Sequence, residues 1–397
     1  MQLRPDRNIA AMNGTMHETT KQKGATGRSN EAGVALVLAL VFVVLLTVLV
    51  VDFSYEMRVE ATLISSADSD LRAYLAAKSA VSAGLGLLAA DLLEGEAAAQ
   101  SDEVDVYDSL DELWAEGIPL ETLNVDERGS GIADSMQATI VDEFGKINLN
   151  ALVFLNEESG EEQVFEELAE ALRYLFEQRG AVEDPVDALI DWLDRDDDPG
   201  GNGAENDYYA SLGTPYSCKN GPMESLEELL LIPGIDIDEY LGDPENDLLP
   251  LSDLLTVHGH PEGRVNVNTA PVQVLEAIFS TDGRSDDAEA KALGVLERRE
   301  NVGPYMARAE LEEDDLIPEP PQPEDEAGEE ASPDEEEGEE EESAPVMMLD
   351  WSSGVFRIYG HGESGGALVR ITAFVWRDTH RSGATQMFRI VDWQVIR

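Results

Sequence analysis

Basic residues and cysteine are the scarce components of this 397-residue chain. Lysine and arginine number only 26 against 83 aspartates and glutamates, which gives a formal net charge of −57. This excess of negative charge opposes binding to nucleic acid, or to an anionic membrane surface, through a basic patch. The single cysteine, Cys218, excludes an intramolecular disulfide. The fold must therefore be stabilised by packing or by a bound metal.

Proline is absent from residues 6 to 118, and charged residues are absent from residues 32 to 51. As a helix, this charge-free run measures roughly 30 Å, about the thickness of the hydrocarbon core of a bilayer. It is too long for the apolar part of a cleaved secretory signal, and "VVDFSYEMRV" after it offers no small-x-small cleavage site. The flanking charges are Lys21, Lys23 and Arg28 before the run and Asp52 and Glu56 after it. The positive-inside rule then predicts one membrane-spanning helix with a cytoplasmic N-terminus.

Residues 53 to 93 predict that this helix continues beyond the membrane, because they are rich in alanine and leucine and contain no proline. Apolar side chains recur there in alternating steps of three and four, which is one stripe of a helix. The stripe comprises Ile64, Ala67, Leu71, Tyr74, Val81, Leu85, Leu88 and Leu92. We expect it to pack mainly on the protein's own domain, with contact to a partner helix as the alternative along part of its length.

Sequence periodicity divides the remainder of the chain. A polar linker is expected near residues 95 to 130, and "SMQATIVDEF" (135 to 144) predicts a strand. Residues 161 to 310 show mainly helical patterns, and three alternating apolar runs near the C-terminus predict an antiparallel sheet. Residues 311 to 346 are predicted to form a disordered acidic loop, because "PEPPQPEDEAGEEASPDEEEGEEEESAP" within them has almost no apolar side chains. The predicted class is α+β, with the long N-terminal helix on a small antiparallel sheet and a large inserted all-helical domain.

Carboxylates concentrate around glycines in "DWLDRDDDPGGNGAENDYY" (191 to 209). If Asp194 is position 1 of a calcium loop, the residues at the ligand positions 3, 5, 7, 9 and 12 are Asp196, Asp198, Gly200, Asn202 and Glu205. Pro199 stands at position 6, where an EF-hand loop needs glycine, so the match lies in spacing and chemistry only. The pattern predicts a metal site, with calcium favoured over magnesium because the ligands are many and flexible. The alternative is an exposed acidic turn in a very acidic chain.

Catalytic motifs are missing from the sequence. No Walker loop, H-E-x-x-H, G-x-S-x-G or Cys-x-x-Cys occurs, so we expect no enzymatic activity. "LEELLLIPGI" (226 to 235) and "VNVNTAPVQVLEAI" (265 to 278) resemble halves of helix-hairpin-helix units, which elsewhere hold the DNA backbone. Here "DIDEY" follows the first of them, and its charges would repel phosphate.

Taken together, several stretches resemble general secretion pathway protein K, the large minor pseudopilin family of type II secretion. They are "GVALVLALV" in the apolar run, "DEFGKINLNAL" after the first strand, the aspartate loop, "NGPMESLEELLLIPGI" and "VNVNTAPVQVLEAI". The resemblance implies a pilin-like fold with an inserted helical domain that binds calcium. The residues it assigns to the metal are Asp194, Asp196, Asp198, Glu205 and Asp207.

The resemblance also implies processing by a prepilin peptidase. The cut would fall between Gly33 and Val34, and the new amino group of Val34 would be methylated. Most pilins carry glutamate as the fifth mature residue, where this chain has Leu38. That glutamate is thought to neutralise the N-terminus of a neighbouring subunit in the membrane, where an unpaired charge is costly. Its absence implies a position at the tip of the pseudopilus.

The function implied is a non-enzymatic cap and initiator of the periplasmic pseudopilus, anchored in the inner membrane with its main domain in the periplasm. The implied partners are minor pseudopilins I and J, other pseudopilus subunits, the prepilin peptidase and the inner-membrane secretion platform. A helix-hairpin-helix module in DNA uptake and a minor pilin of a type IV pilus are the alternatives. The predicted domains are a leader (1–33), the long helix (34–95), a linker and first strand (96–150), the helical domain (151–310), the acidic loop (311–346) and the C-terminal strands (347–397).

Overall fold

Helix α1, assigned over Arg28–Asp102, begins the part of the chain that the computed structural model describes. The described residues are 28–102, 106–125, 133–156, 159–181, 183–246, 248–281, 285–317, 348–377 and 388–397. The chain divides into two units, Met1–Ser65 and Ser66–Arg397. In the first unit the apolar side chains of α1 are exposed, and the most apolar 18-residue window has a mean hydropathy of 3.5. By length and composition this stretch is able to cross a membrane. Most of the predicted leader, residues 1–27, lies outside the described residues.

The second unit contains the strands and the remaining helices. The strands are β1 (Ile118–Val125), β2 (Ala133–Asp142), β3 (Ile147–Asn148), β4 (Val153–Leu155), β5 (Glu162–Val164), β6 (Leu255–Thr256), β7 (Val265–Asn266), β8 (Leu349–Asp350), β9 (Val355–Ser364), β10 (Ala367–Arg377) and β11 (Phe388–Ile396). The helices are α2 (Leu113–Glu116), α3 (Glu166–Gln178), α4 (Val186–Leu193), α5 (Asn206–Ser211), α6 (Ile237–Leu241), α7 (Leu251–Leu254), α8 (Val272–Phe279), α9 (Ser285–Asn301) and α10 (Arg308–Glu313).

A five-stranded antiparallel sheet is the scaffold of the second unit, in the order β1-β2-β9-β10-β11. The early strand and the three late strands predicted from the sequence are all present. Strand β1, however, lies within the region predicted to be a polar linker, so that prediction was wrong there. Gly117 and Pro119 in "EGIPLETLNV" are residues typical of turns and linkers, so the sequence pattern did not indicate a strand there. Because β1 is at the edge of the sheet, a missing proline N–H near its start is tolerated.

Helix α1 lies against the sheet along its second half. Val81, Leu88 and Leu92 of the predicted stripe are buried, whereas Ile64 and Leu71 are exposed. The stripe therefore packs on the protein's own sheet only in its later part. Upstream of Val81, the buried positions in the described part of α1 are the small residues Ser69, Ala73, Ala76, Ala77 and Ala80.

Two glycines of β9 explain why those helix residues are small. A Cβ atom added to Gly362 would lie 2.1 Å from the carbonyl oxygen of Ala73, and one added to Gly360 would lie 2.5 Å from that of Ala77. Both distances are shorter than any real contact, so the helix backbone rests directly on the strand. Close packing at this crossing requires glycine in β9 and alanine in α1.

The inserted domain occupies the chain between β2 and β9 and has its own apolar core. Helix α3 shows how the core is built, because its buried side chains recur with helical spacing on one face. They are Leu168, Ala169, Ala171, Leu172, Leu175 and Phe176. The domain also contains three short strand pairs, β3–β6, β4–β5 and β7–β8, beside the predicted helices.

The C-terminal limit of the inserted domain lies beyond the predicted boundary at residue 311. Helix α10 crosses that boundary, and the buried side chains of Leu311 and Ile317 belong to the core of the domain. The remainder of the predicted acidic loop, residues 318–346, lies outside the described residues.

Candidate functional site

The aspartate loop joins helices α4 and α5 in the inserted domain. Asp194 is the C-cap residue of α4, and Glu205 is the N-cap residue of α5. Two carboxylates that are distant in the loop are therefore fixed by the ends of two helices. Between them the chain has no regular structure, so side chains must hold its turns in place.

The side chain of Asp191 lies inside the loop and stabilises its shape. The predicted ligand spacing began at Asp194 and did not include this residue. Its side chain is buried, and Oδ1 accepts a hydrogen bond from the Gly200 N–H at 3.0 Å. A Cβ atom on Gly203 would lie 1.9 Å from Oδ2 of Asp191, so only glycine fits there. Asp187, one turn earlier in α4, accepts a hydrogen bond from the Asn202 N–H at 2.9 Å. The glycines of "PGGNG" were the sequence signal for a carboxylate packed against the loop.

The structure brings Asp194, Asp196 and Glu205 together. Each offers a carboxylate oxygen, and these atoms lie within 4.8 Å of one another. Oδ1 of Asp194 and both oxygens of Glu205 are buried and have no hydrogen-bond partner. Buried polar atoms are nearly always bonded, so these three unpartnered carboxylate oxygens are candidate ligands for a cation.

The electrostatics of the cluster also favour a positively charged ligand. Burial, with the charges of Asp196, Asp191, Glu205 and Glu162, raises the pKa of Asp194 to about 7. Burial and neighbouring aspartates also raise the pKa of Glu205. Carboxylates that share a site disfavour one another's charged form unless a positive charge joins them. This arrangement is suited to a hard divalent cation, which prefers oxygen ligands.

Two predicted ligands, Asp198 and Asp207, do not join this cluster. Both side chains are exposed. The main-chain N–H of Asp198 donates to Oδ1 of Asp196 at 2.8 Å, and the Gly200 carbonyl accepts a hydrogen bond from the Gly203 N–H at 3.2 Å. The loop thus matches the EF-hand spacing at positions 1, 3 and 12 but not its internal turns, as Pro199 at position 6 requires.

A second carboxylate cluster surrounds Arg377, where α1, the sheet and the inserted domain meet. Arg377 is fully buried at the end of β10 and contacts Asp91 of α1 at 3.1 Å and both oxygens of Asp108. Carboxylate oxygens of Asp91, Asp108 and Glu112 lie within 4.8 Å of one another. Burial is the main cause that raises the pKa of Asp91 to about 6 and that of Glu112 to about 7. This cluster already contains its cation, and its role is structural.

The described architecture defines a class of α+β protein: a long helix, apolar in its first part, lies in its second part on an antiparallel sheet that carries an inserted domain. Residues 145–242 match the family model described as type II secretion system, protein K. That range contains the aspartate loop and both of its flanking helices.

Curated relatives agree with the family model. Type II secretion system protein K of Pectobacterium carotovorum is 32% identical over 150 residues, which cover 37% of this chain and 42% of that protein. The protein K of Pseudomonas aeruginosa is 31% identical over 180 residues, which cover 44% of this chain and 47% of that protein. The chain spans less than half the length of these relatives. The resemblance to protein K predicted from the sequence is thereby confirmed.

A solved structure shows the same fold. The crystal structure of the GspK-GspI-GspJ complex from the enterotoxigenic Escherichia coli type 2 secretion system matches with a TM-score of 0.53 and 16% identity. The match covers 84% of this chain and 99% of that chain. The predicted α+β class, with a long N-terminal helix, an antiparallel sheet and a helical insertion, is confirmed.

Proposed function

We propose that this protein is a minor pseudopilin that caps and initiates the periplasmic pseudopilus of a type II secretion system. The observation that carries the proposal is the similarity to protein K, in sequence over the inserted domain and in fold over most of the chain. A bulky domain inserted between β2 and β9 would obstruct the addition of further subunits on that side. Such a subunit acts by assembly, and no catalytic role is proposed.

Maturation of the anchor is the first step of this function. Prepilin peptidase would cut between Gly33 and Val34, methylate Val34, and leave the apolar run on the mature chain. Gly33 is exposed, with nothing within 4 Å of an added Cβ, and Val34 and Leu38 are 60% and 54% exposed. All three residues are free to contact membrane, peptidase or neighbouring subunits. The N-terminus would face the cytoplasm and the second unit the periplasm.

The partners proposed are minor pseudopilins I and J, further pseudopilus subunits and the inner-membrane platform. The structural relative is a complex of GspK with GspI and GspJ. In the present chain, the upstream part of the predicted stripe, including Ile64 and Leu71, is exposed. This part of α1 is available to the helices of neighbouring subunits.

Assembly and processing are tested together on the chain purified from membranes. We expect its mass to begin at methylated Val34, and we expect pilin-like subunits I and J from the same gene cluster to co-purify with it. Gly33→Val should leave the leader attached, because the side chain would enter the cleavage position, whereas Ala39→Val in the same run should not. A chain that keeps its leader, or that retains neither subunit, would argue against the proposed function.

The aspartate loop would contribute to this function by holding one calcium ion that fixes the geometry of the inserted domain. Asp194, Asp196 and Glu205 would be the protein ligands, and Asp191 would hold the loop in shape. The support is the set of three buried carboxylate oxygens without partners. Calcium suits this set because it accepts oxygen ligands in irregular geometry and completes its shell with water.

Calorimetric titration of the full chain with calcium tests the site. We expect one binding event that Glu205→Gln reduces at least about tenfold in affinity, since it removes a charge from the cluster. Asp207→Asn, a change of the same kind on an exposed carboxylate two residues away, should leave the affinity unchanged. Bound calcium should also stabilise the fold, by about 2.7 kcal/mol at a hundredfold excess over its dissociation constant. Absence of binding heat, or equal effects of the two variants, would remove the proposal.

The alternative of DNA binding gains no support from the helix-hairpin-helix resemblance. The turn at Gly234 borders a groove whose lining includes Glu183, Asp236, Asp238 and Asp243. These carboxylates lie where a DNA-binding hairpin would have to accept phosphate, and like charges there oppose binding.

A further inference from the structure

An apolar groove opens on the surface of the inserted domain, beside the hairpin of β4 and β5. It measures 450 Å³, and its apolar lining consists of Ala151, Phe154, Val164, Phe165 and Pro261. Phe154 is 43% exposed, so a large part of an aromatic side chain stays in water that burial would favourably remove. The volume falls within the range of about 300–1,000 Å³ that is typical of ligand pockets. The groove can therefore receive a large apolar side chain from outside.

The walls of this groove are held in place by contacts within the domain. Phe165 is the N-cap residue of α3, and its N–H donates to the Leu152 carbonyl at 2.8 Å. Its ring meets the Phe154 ring edge to face, with 6.5 Å between the ring centroids. A Cβ atom added to Gly263 would lie 2.9 Å from the Phe165 ring, so the main chain at Gly263 packs directly on that ring. A groove whose walls are already fixed binds without the entropic cost of ordering them.

Every charged side chain that lines the groove is a glutamate. These residues are Glu166 and Glu167, in the first turn of α3, and Glu262. Glu262 pairs with Arg264 at 3.1 Å, and Arg173 of α3 pairs with two aspartates. Neither Glu166 nor Glu167 forms an ion pair within the described part of the chain. Carboxylates at a helix N-terminus are stabilised in their charged form by the helix dipole. The rim of the groove is therefore negative and accessible to cationic groups.

Charge also decides which occupant fits. The stretch "NEESGEEQVFEE" (156 to 167), which contains β5 and the start of α3, has six glutamates and no lysine or arginine. A second copy of the chain, with its net charge of −57, would be repelled, and so would an anionic lipid surface. A segment of a different protein that carries lysine or arginine beside an apolar side chain is complementary to both the rim and the lining.

We propose that the groove binds a segment of a partner polypeptide in which a leucine or aromatic side chain is flanked by lysine or arginine. The apolar side chain would contact the rings of Phe154 and Phe165, and the basic side chains would pair with Glu166 and Glu167. Burial of apolar surface would supply most of the affinity, because exposed ion pairs contribute little. The charges would set the orientation of the segment and its association rate. This binding goes beyond the proposed secretion function and does not depend on it.

Selection from a phage-displayed library of random dodecapeptides tests the chemistry of the occupant. The full chain in detergent micelles is the target, at about 150 mM salt, where exposed charges more than about 8 Å apart are largely screened. We expect the enriched peptides to combine a tryptophan, phenylalanine or leucine with neighbouring lysines or arginines. A fluorescently labelled synthetic copy of an enriched peptide then gives the dissociation constant by fluorescence anisotropy.

Local variants locate the binding site, because a chain with a net charge of −57 attracts basic peptides at many places. Phe154→Ser should raise the dissociation constant of the peptide about tenfold or more, since it removes the exposed ring. The double variant Glu166→Lys with Glu167→Lys should raise it about tenfold as well, since it places like charges at the rim. Leu241→Ser, on α6, and Glu177→Lys, at the far end of α3, are the matched controls. Both change exposed side chains outside the groove and should leave the dissociation constant unchanged.

Far-UV circular dichroism verifies that every variant is folded. A selection that enriches no peptide, or only peptides without basic residues, would overturn the proposal. Binding that neither Phe154→Ser nor the double reversal weakens would also overturn it, because the peptides would then bind elsewhere on the chain. If Phe154→Ser alone weakened binding, the groove would accept apolar side chains without basic neighbours, which contradicts the proposed occupant.

Discussion

Gly362→Ala is expected to lower the free energy of unfolding by about 3 kcal/mol, the upper part of the range for overpacked cores. The new Cβ would lie 2.1 Å from the carbonyl oxygen of Ala73 and 2.4 Å from the main-chain nitrogen of Ala77. These atoms belong to the α1 backbone and cannot move as a flexible side chain does. Helix α1 must therefore shift away from β9. Denaturant unfolding of the full chain in micelles, followed by circular dichroism, measures the loss.

Gly86→Ala is the control for this experiment. Gly86 lies in the same helix, is exposed, and has nothing within 4 Å of an added Cβ. Alanine in a helix is favoured over glycine by up to about 1 kcal/mol, so this variant should be as stable as wild type or more stable. If both variants had the same stability, helix and strand would not be in direct contact at Gly362.

Arg377→Met is expected to cost about 3–5 kcal/mol at pH 8, the usual penalty for leaving one partner of a buried ion pair unpaired. Asp108 is completely buried and would lose both of its contacts with the guanidinium, and Asp91 would lose the one ion pair that it forms within the described residues. Methionine fills much of the same volume, so the loss arises mainly from charge. Arg370→Met, on the exposed face of the same strand, should change stability by less than about 0.5 kcal/mol.

The penalty should depend on pH, because burial raises the pKa values of two carboxyl groups near Arg377, those of Asp91 and Glu112. In the folded protein the pKa of Asp91 is raised from 3.8 to about 6 and that of Glu112 from 4.5 to about 7, chiefly by burial. The folded state thus holds protons that the unfolded chain releases, and these groups contribute stability that is lost as the pH rises from about 4 to 7. Arg377 lowers the pKa of Asp91, so its removal should raise that pKa further.

The loss caused by Arg377→Met should accordingly be smaller at pH 5, where protonated carboxyl groups need no cation, than at pH 8. Unfolding curves at the two pH values measure the difference. Equal losses at pH 5 and pH 8 would mean that Arg377 acts through its packing on the Phe356 ring, which lies 4.8 Å from the guanidinium carbon, and not through charge.

The sequence predicted those parts of the fold that local periodicity specifies. Sequence patterns that continue over many residues allowed three elements to be predicted: the apolar run, the helix after it and the strand at 135 to 144. Strand β1 was missed because Pro119 and the polar residues after it resemble a linker. The strand forms because its backbone hydrogen-bonds to β2, and this pairing is not visible in the local sequence of β1.

The carboxylate cluster was predicted in part for a similar reason. Spacing correctly brought Asp194, Asp196 and Glu205 together, since two helix ends fix the first and the last of them. It also included Asp198, which the turn directs into solvent, and it omitted Asp191, whose carboxylate occupies the inside of the loop. Alternating spacing cannot show which side chains a short turn points inward.

Composition and periodicity by themselves determined that this chain has an apolar segment long enough to cross a membrane, a strong excess of acidic residues, a helical insertion and a small sheet. These features depend on the number and order of apolar and charged residues, which the sequence displays directly. Tertiary structure alone decided that β9 meets α1 through bare glycine backbone, that Arg377 joins three parts of the fold, and that a bulge at Val391 shifts the register of β11 against β10. Each of these depends on contacts between residues far apart in the chain, or on the register of one strand against another, and neither has a local pattern in the sequence.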